Sequence, residues 1–197
     1  VKRLALVQDE SEMGLAIGDR LTVRNLLYGL LVPSGNDAAY ALSDNFPGGI
    51  ENFIYSMNKK AAELSLSNTH FLNQNGADQD NHLSTAKDLI NLARVAVENE
   101  NIKTMVGTSG ITLPDADRKK NYKIKNVNQL LGVVSGLDGI KTGYTDLAGQ
   151  SLVSSTTRNG HTIYTIVLQS GDRFADTATL INWAFTNTIW QRIVPPV

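Results

Sequence analysis

Apolar residues recur at helical spacing through the first half of the chain, at intervals of three and four positions. Thr22, a favoured capping residue, precedes a run of this kind that ends near Leu31. Pro33-Ser34-Gly35-Asn36 then breaks the pattern, because proline and glycine favour turns. A second helical run begins at Asp37. The pattern therefore predicts two consecutive helices joined by a short polar turn.

The next two amphipathic runs flank a polar segment. The first predicts a helix that ends at about Leu66, and the second predicts a helix capped by Ser84 or Thr85 whose inner face extends to Val97. Between them, residues 67–83 are rich in Asn, Asp, Gln and Ser, which predicts a loop with a short strand near Thr69–Leu72. The helical region is predicted to span about residues 22–107.

The last third changes to short, β-rich runs. The candidate strands are Ile111–Leu113, Tyr122–Ile124, Ser151–Thr157 and His161–Gln169. Asn159-Gly160 between the last two is a strong hairpin signal, and Gly136–Gly139 is predicted as a turn. A final helix is predicted over Thr179–Trp190. Helices followed by a strand-rich region over about 109–170 and one more helix indicate an α+β fold with an antiparallel sheet.

Length and charge limit the function classes. The 197 residues, 42% of them hydrophobic, suit one folded domain over 1–190, with 191–197 a linker or the start of a further region. The net charge of −1 excludes a strongly basic nucleic-acid surface. No apolar run approaches the ~20 residues of a membrane span, so membrane association is expected only through segments outside this sequence.

The residue types that bind metals and cofactors form no convincing pattern. The sequence has no Cys, which excludes a thiol nucleophile and a Cys-ligated metal, and His70, His82 and His161 share no ligand spacing. The stretch 78–82 is a poor calcium loop, since it lacks the required glycine and glutamate. Gly139-Ile140-Lys141-Thr142 lacks the glycine that a phosphate loop needs before its lysine. We predict no metal and no organic cofactor.

Two motifs remain, and together they resemble a known superfamily. Ser34-Gly35-Asn36 and Lys141-Thr142-Gly143, in this order, resemble the S-x-N and K-T-G motifs of the penicillin-recognising serine hydrolases. The chain most resembles the low-molecular-weight D-alanyl-D-alanine carboxypeptidases, peptidase family S11. The resemblance extends over Met13–Leu15, Gly18-Asp19, Leu21–Val23, Leu26–Leu31, Pro33–Ala39, Met57–Ala61, Asn68–Phe71, Ser84–Ala86, Asp88-Leu89, Gly139–Thr145, Ala148-Gly149 and Arg173. It implies a β-lactamase-like transpeptidase fold, incomplete at its N-terminus.

The resemblance also implies catalytic roles for three residues. In the implied reaction, a serine attacks the penultimate D-Ala carbonyl of a peptidoglycan stem peptide ending in D-Ala-D-Ala, and water then hydrolyses the acyl-enzyme. Ser34 would bridge the leaving nitrogen and two lysines, and Asn36 would orient the lysine of an S-x-x-K tetrad. Lys141 would be a second cation that lowers the pKa of that lysine.

Substrate binding is implied for four residues. The strand that contains Gly143 would pair with the substrate as an added strand, and the Tyr144 N–H would be one of two donors to the oxyanion. Thr142 would bind the terminal carboxylate. Arg173, expected just before the final helix, carries a guanidinium suited to the same carboxylate.

The acylating serine itself is missing. In this family S-x-x-K lies upstream of S-x-N, yet only 33 residues precede Ser34 and none of them forms the tetrad. Two later tetrads, Ser56–Lys59 and Ser84–Lys87, have spacings common on any helix, and we interpret both as chance matches. We expect that the chain is a fragment of a longer hydrolase and is inactive alone.

Alternatives stay open at the level of sequence. A class A β-lactamase would carry S-D-N, whereas this chain has Gly35, and no glutamate between Ser34 and Lys141 lies in a recognisable deacylation loop. A non-catalytic homologue that binds peptidoglycan is the other alternative. For the carboxypeptidase, the resemblance implies β-lactams as inhibitors and a location outside the cytoplasmic membrane.

Overall fold

The computed structural model describes residue 1 and residues 11–191, so nearly all of the predicted linker at 191–197 lies outside the described residues. The helices are α1 (Val23–Leu31), α2 (Asn36–Asp44), α3 (Gly49–Glu63), α4 (Ala86–Ala96), α5 (Glu100–Val106) and α6 (Arg173–Asn187). The strands are β1 (Gly110–Pro114), β2 (Asn121–Lys125), β3 (Leu137–Thr145), β4 (Gly149–Arg158) and β5 (His161–Ser170). This mixture of helices and antiparallel strands confirms the predicted α+β class. None of these described helices is long and apolar enough to cross a membrane.

The strands form two separate antiparallel sheets. β3, β4 and β5 form a sheet in that order, so β3 is an edge strand. The β4–β5 hairpin turns at Asn159 and Gly160, both with positive φ, as the Asn-Gly signal predicted. Among the residues that the structure describes, β1 pairs only with β2. The strand-rich region is therefore divided into a small hairpin and the main sheet.

Three apolar clusters hold these elements together. The first joins α1, α2 and the β1–β2 hairpin around residues such as Val32 and Met105. The second packs α6 against the sheet through Ile181 and Leu152, and the third packs α4 and α5 against the sheet around Val106. β3 therefore lies with helices on both sides, and within residues 11–191 no strand pairs with its outer edge.

Several helix boundaries differ from the prediction. α2 begins at Asn36 rather than Asp37, and α3 ends at Glu63 rather than Leu66, just before Ser65 with φ of 56°. The prediction of the last helix over Thr179–Trp190 was wrong at both ends. The helix, α6, begins at Arg173 because the Asp172 carboxylate accepts N–H groups of its first turn. It ends at Asn187, since Thr188 has an extended backbone. Arg173 is thus the first residue of the helix.

Some predicted local elements also change. The predicted turn at Gly136–Gly139 ends at Gly136, and β3 already begins at Leu137. The short strand predicted near Thr69–Leu72 is a single bridge between His70 and Leu83. α5 had no separate prediction, because seven residues show little periodicity; Asn99 caps its first turn.

Gly139 is required where β3 passes α5. Its φ is 143°, and a Cβ there would lie 2.9 Å from Cγ2 of Val106. We expect Gly139→Ala to lower the free energy of unfolding by about 2–3 kcal/mol. The matched control is Gly171→Ala, because a Cβ at Gly171 meets nothing within 4 Å. Urea unfolding of both variants tests this, and equal losses at the two sites would contradict it.

Asp19 ties the segment before α1 to β2. Its carboxylate accepts hydrogen bonds from the Ala16 N–H at 2.7 Å, from Lys120 Nζ at 2.9 Å and from the Tyr122 hydroxyl. Burial alone would raise the pKa of Asp19, but these hydrogen bonds, led by that of Tyr122, lower it to about 2.

This lowered pKa predicts an acid-sensitive contribution to stability. The folded protein binds the Asp19 proton more weakly than the unfolded chain, so the contribution is present above about pH 4 and is lost as the pH falls towards 2. At this partly exposed site we expect roughly 1 kcal/mol. Urea unfolding at pH 6 and pH 2.5 should show a smaller acid loss for Asp19→Asn than for the wild type. An equal loss in the two proteins would contradict the assignment.

Candidate active site

The turn between α1 and α2 presents Ser34 in an unusual conformation. Ser34 has φ of 62°, which is uncommon for a residue other than glycine. The next residue, Gly35, is buried, and a Cβ there would lie 2.7 Å from Oδ1 of Asp37 and 2.8 Å from the Gly29 carbonyl oxygen. Its N–H donates to that same carbonyl at 2.9 Å. The glycine of the S-x-N motif is therefore required by close packing, and it fixes Ser34 at the end of the turn.

The buried carboxylate of Asp37 stabilises this turn. No role was predicted for Asp37 from the sequence. Its side chain is fully buried and its two oxygens accept N–H groups from Met13, Gly14, Leu15 and Ala38, at 2.8–3.0 Å. A carboxylate with four such donors is well satisfied without a cation. It fixes the 13–15 segment against the start of α2, where Asn36 follows Gly35. An aspartate directly after S-x-N was the available signal, but its burial cannot be read from the sequence.

Lys141 reaches this turn from the edge strand β3. Its Nζ donates to Ser34 Oγ at 2.6 Å and to the Thr142 carbonyl oxygen at 2.9 Å. The contact with Ser34 joins residues 107 positions apart. Burial lowers the pKa of Lys141 to about 8, and the nearby Arg173 guanidinium contributes. The two sequence motifs thus meet through one short charge-assisted hydrogen bond.

Arg173 lies beside the same strand. Its Nη1 donates to the Gly143 carbonyl oxygen at 2.8 Å, while its guanidinium stacks on Phe174 with 4.9 Å to the ring centre. Its Nε is buried and has no hydrogen-bond partner among the residues that the structure describes. Burial lowers the pKa of Arg173, although the group remains cationic at neutral pH. A guanidinium carries five N–H donors in a planar fork, so this cation is suited to an anionic ligand.

The remaining predicted residues line the free edge of β3. Thr142 is 8% exposed, whereas Tyr144 is 64% exposed and its hydroxyl donates to Asp146. At Gly143 a Cβ would touch only Ser151, at 3.9 Å, so packing within the chain does not demand a glycine there. This is consistent with an edge kept open for an approaching chain.

The two chance S-x-x-K tetrads have other hydrogen-bond partners. Ser56 Oγ donates to the Asn52 carbonyl oxygen within α3, and Ser84 Oγ pairs with Thr69 Oγ1 at 2.8 Å. Lys59 and Lys87 are both exposed. Neither serine is linked to Lys141, whose Nζ bonds to Ser34 and to the Thr142 carbonyl oxygen.

The three histidines have local roles. His82 Nδ1 accepts the Leu72 N–H at 3.0 Å, and burial, with a contribution from His70, lowers the pKa of His82. His70 Nδ1 lies 3.2 Å from the Asn81 carbonyl oxygen, and His161 stacks on Trp190. Residues 11–191 bring together no group of three or more His, Cys, Asp or Glu side chains that could hold a metal ion.

A cavity of about 490 Å³ lies elsewhere, between α4, α5 and the main sheet. Its walls carry both signs of charge, including Arg94, Lys103 and Asp138, but neither Ser34 nor Lys141. The site described above lies instead along the edge strand β3.

Comparison with known proteins identifies the family. A family model described as D-alanyl-D-alanine carboxypeptidase matches residues 2–172. A D-alanyl-D-alanine carboxypeptidase of Streptomyces sp. (strain K15) is 37% identical over 188 residues, which is 89% of this chain and 65% of the relative. The carboxypeptidase DacF of Bacillus subtilis is 34% identical over 179 residues, or 89% of this chain and 46% of the relative. The chain thus spans roughly half to two thirds of the length of these relatives.

Solved structures agree with this match. The crystal structure of the Streptomyces DD-transpeptidase superposes with a TM-score of 0.85 at 37% identity, and covers 90% of this chain and 72% of that one. An evolved putative penicillin-binding protein homolog from Mycobacterium tuberculosis gives a TM-score of 0.87 at 29% identity, with 98% and 75% coverage. The fold, the sequence match and the meeting of the S-x-N and K-T-G motifs agree, and the chain belongs to the D-alanyl-D-alanine carboxypeptidase family, peptidase family S11.

Proposed function

We propose that the protein to which this chain belongs is a serine-type D-Ala-D-Ala carboxypeptidase that acts on peptidoglycan stem peptides through an acyl-enzyme. The observation that carries this proposal is the 2.6 Å hydrogen bond from Lys141 to Ser34 at the edge of β3. The bond connects the helical part of the chain to the sheet at the place where a substrate strand can add. The family match favours this activity over a class A β-lactamase.

The reaction is acyl transfer to a serine supplied by an S-x-x-K tetrad outside these 197 residues. That serine Oγ attacks the penultimate D-Ala carbonyl carbon, and its proton passes to the leaving nitrogen as the peptide bond breaks. Ser34, which already accepts from Lys141, carries the proton to the departing D-Ala amine. Water then attacks the ester and releases the shortened peptide.

Two electrostatic effects of this chain serve that reaction. The partly buried cation at Lys141 lowers the pKa of a neighbouring tetrad lysine, because the repulsion between two nearby ammonium groups favours the neutral form of one of them. A neutral lysine is the base that the serine hydroxyl needs. Asn36 holds that lysine in position by hydrogen bonding. The Tyr144 N–H is one donor to the tetrahedral oxyanion.

The free edge of β3 binds the substrate. The acyl chain adds as a strand beside Gly143, whose lack of a side chain keeps the approach open. The terminal carboxylate meets the Thr142 hydroxyl and the Arg173 guanidinium, which lies beside β3 and bonds the Gly143 carbonyl oxygen. Peptidoglycan stem peptides ending in D-Ala-D-Ala are therefore the proposed substrates, β-lactams are the proposed inhibitors, and the site of action is outside the cytoplasmic membrane.

The test is release of D-alanine by protein made from the complete coding sequence, including the codons that precede Val1. We expect D-alanine from a diacylated L-Lys-D-Ala-D-Ala peptide and a covalent penicillin adduct on a serine upstream of Val1. The 197-residue chain alone should form no adduct. An adduct on Ser56 or Ser84 would contradict the placement of the nucleophile, and fast, sustained nitrocefin turnover would favour a β-lactamase. Binding of peptidoglycan without any release would favour a non-catalytic homologue.

A further inference from the structure

The turn that follows β3 is bonded to a loop far away in the chain. The Leu147 N–H, in the turn between β3 and β4, donates to the Asp78 carboxylate at 3.0 Å across 69 positions. We call this hydrogen bond the Asp78 latch. Within the turn itself, the Ala148 N–H donates to Thr145 Oγ1, and the Tyr144 hydroxyl donates to the Asp146 carboxylate.

The loop that carries Asp78 is held by a side chain of α3 and by one of its own side chains. Asn58 of α3 bonds both backbone groups of Phe71, at 2.7 and 2.8 Å. Asn73 Oδ1 accepts the N–H groups of Gly76 and Ala77, and its Nδ2 donates to the Ala77 carbonyl oxygen. The carboxylate of Asp78 is therefore presented at a defined place by a preorganised loop.

The latch is one of several contacts that position β3 and the turn after it. Val106 packs against Gly139 near the start of the strand, Ser34 bonds Lys141 in the middle, and Asp78 bonds the turn beyond its end. The proposed substrate contacts follow the strand in the same order. The terminal carboxylate lies at Thr142, and the carbonyl that is attacked lies at the Tyr144 N–H. The turn begins two residues after Tyr144, about 7 Å further on, which is the length of two residues of an extended substrate.

We propose that Asp78 is a positioning residue: through the latch it fixes the turn at the end of β3, next to the part of the strand that receives the acyl-side residues of the substrate. The inference rests on the carboxypeptidase function proposed above. Asp78 does not touch the reacting atoms. It acts through the Leu147 N–H on the turn that follows Tyr144. Contacts remote from the scissile bond contribute to the rate only for substrates long enough to reach them.

The test compares two substrates of different length with the complete protein. Asp78→Ala should lower kcat/KM for a diacylated L-Lys-D-Ala-D-Ala peptide about tenfold and leave that for acetyl-D-Ala-D-Ala within about twofold. Asp78→Asn retains an oxygen acceptor and should restore most of the loss. The matched control is Asp80→Ala, which removes the same charge from an exposed position in the same loop. Equal losses on both substrates, or the same loss in Asp80→Ala, would overturn the proposal.

A second measurement separates this inference from the proposed function. If the wild-type protein cleaves neither peptide, the carboxypeptidase proposal fails. The latch is then tested by the rate of amide hydrogen exchange at the Leu147 N–H. Faster exchange in Asp78→Ala than in Asp80→Ala supports the latch. Equal exchange in the two variants overturns it.

Discussion

Replacement of Lys141 with alanine should slow the acylation of the complete protein by a fluorescent penicillin about 10²–10³-fold. The ammonium donates to Ser34 at 2.6 Å, and its loss removes both this hydrogen bond and the positive charge beside the β3 edge. The matched controls are Lys59→Ala and Lys87→Ala, which remove lysines of the two chance tetrads from exposed positions. Both should acylate at the wild-type rate. A Lys141→Ala variant as fast as these controls would show that Lys141 has no part in the reaction.

The same lysine predicts a pH dependence. Its pKa is lowered to about 8, so the ammonium that donates to Ser34 is present below that pH and is lost as the pH rises through it. The acylation rate of the wild type should therefore fall on the alkaline side with an apparent pKa near 8. Arginine stays charged at this pH, so the acylation rate of Lys141→Arg should no longer fall above pH 8, whatever its absolute value. If the rate of that variant falls above pH 8 as in the wild type, the fall is due to the titration of another group.

Replacement of Asp37 with alanine should cause a large loss of stability, at least about 3 kcal/mol. Four backbone N–H groups that now bond to the buried carboxylate would lose their acceptor, and three of these four hydrogen bonds are themselves buried. Asp37→Asn keeps one oxygen and should lose less. Thermal or urea unfolding of both variants measures the effect.

Asp80→Ala is again the matched control, because that aspartate is exposed. Its unfolding free energy should stay within about 0.5 kcal/mol of the wild type. If Asp37→Ala unfolds like this control, the buried carboxylate does not hold the Ser34 turn as described.

The parts of the fold that the sequence predicted well depend on local signals. Thr22 caps α1 as expected, and Asn159-Gly160 turns between β4 and β5. The errors arise where tertiary contacts decide. β3 begins at Leu137 because its start pairs with β4 and packs against Val106, which no local pattern at a Gly-rich stretch reveals. The start of α6 was missed because its cap, Asp172, was not recognised.

The candidate site was predictable only as a set of motifs. Family resemblance selected Ser34 and Lys141, but periodicity gives no information on a contact between residues 107 positions apart. Asp37 and Asp78 accept hydrogen bonds from backbone N–H groups that the fold brings to them, so these contacts cannot be read from the sequence. Long-range hydrogen bonds of this kind are a property of the folded chain.

The central claim is that Ser34 and Lys141 work as one unit in one acyl-transfer site. A double-mutant cycle on the acylation rate of the complete protein, with Ser34→Ala, Lys141→Ala and the double variant, tests it most directly. The account predicts that the double variant reacts within about threefold of the slower single variant, as expected for residues that act together. A double variant slowed by the full product of the two single effects would contradict it.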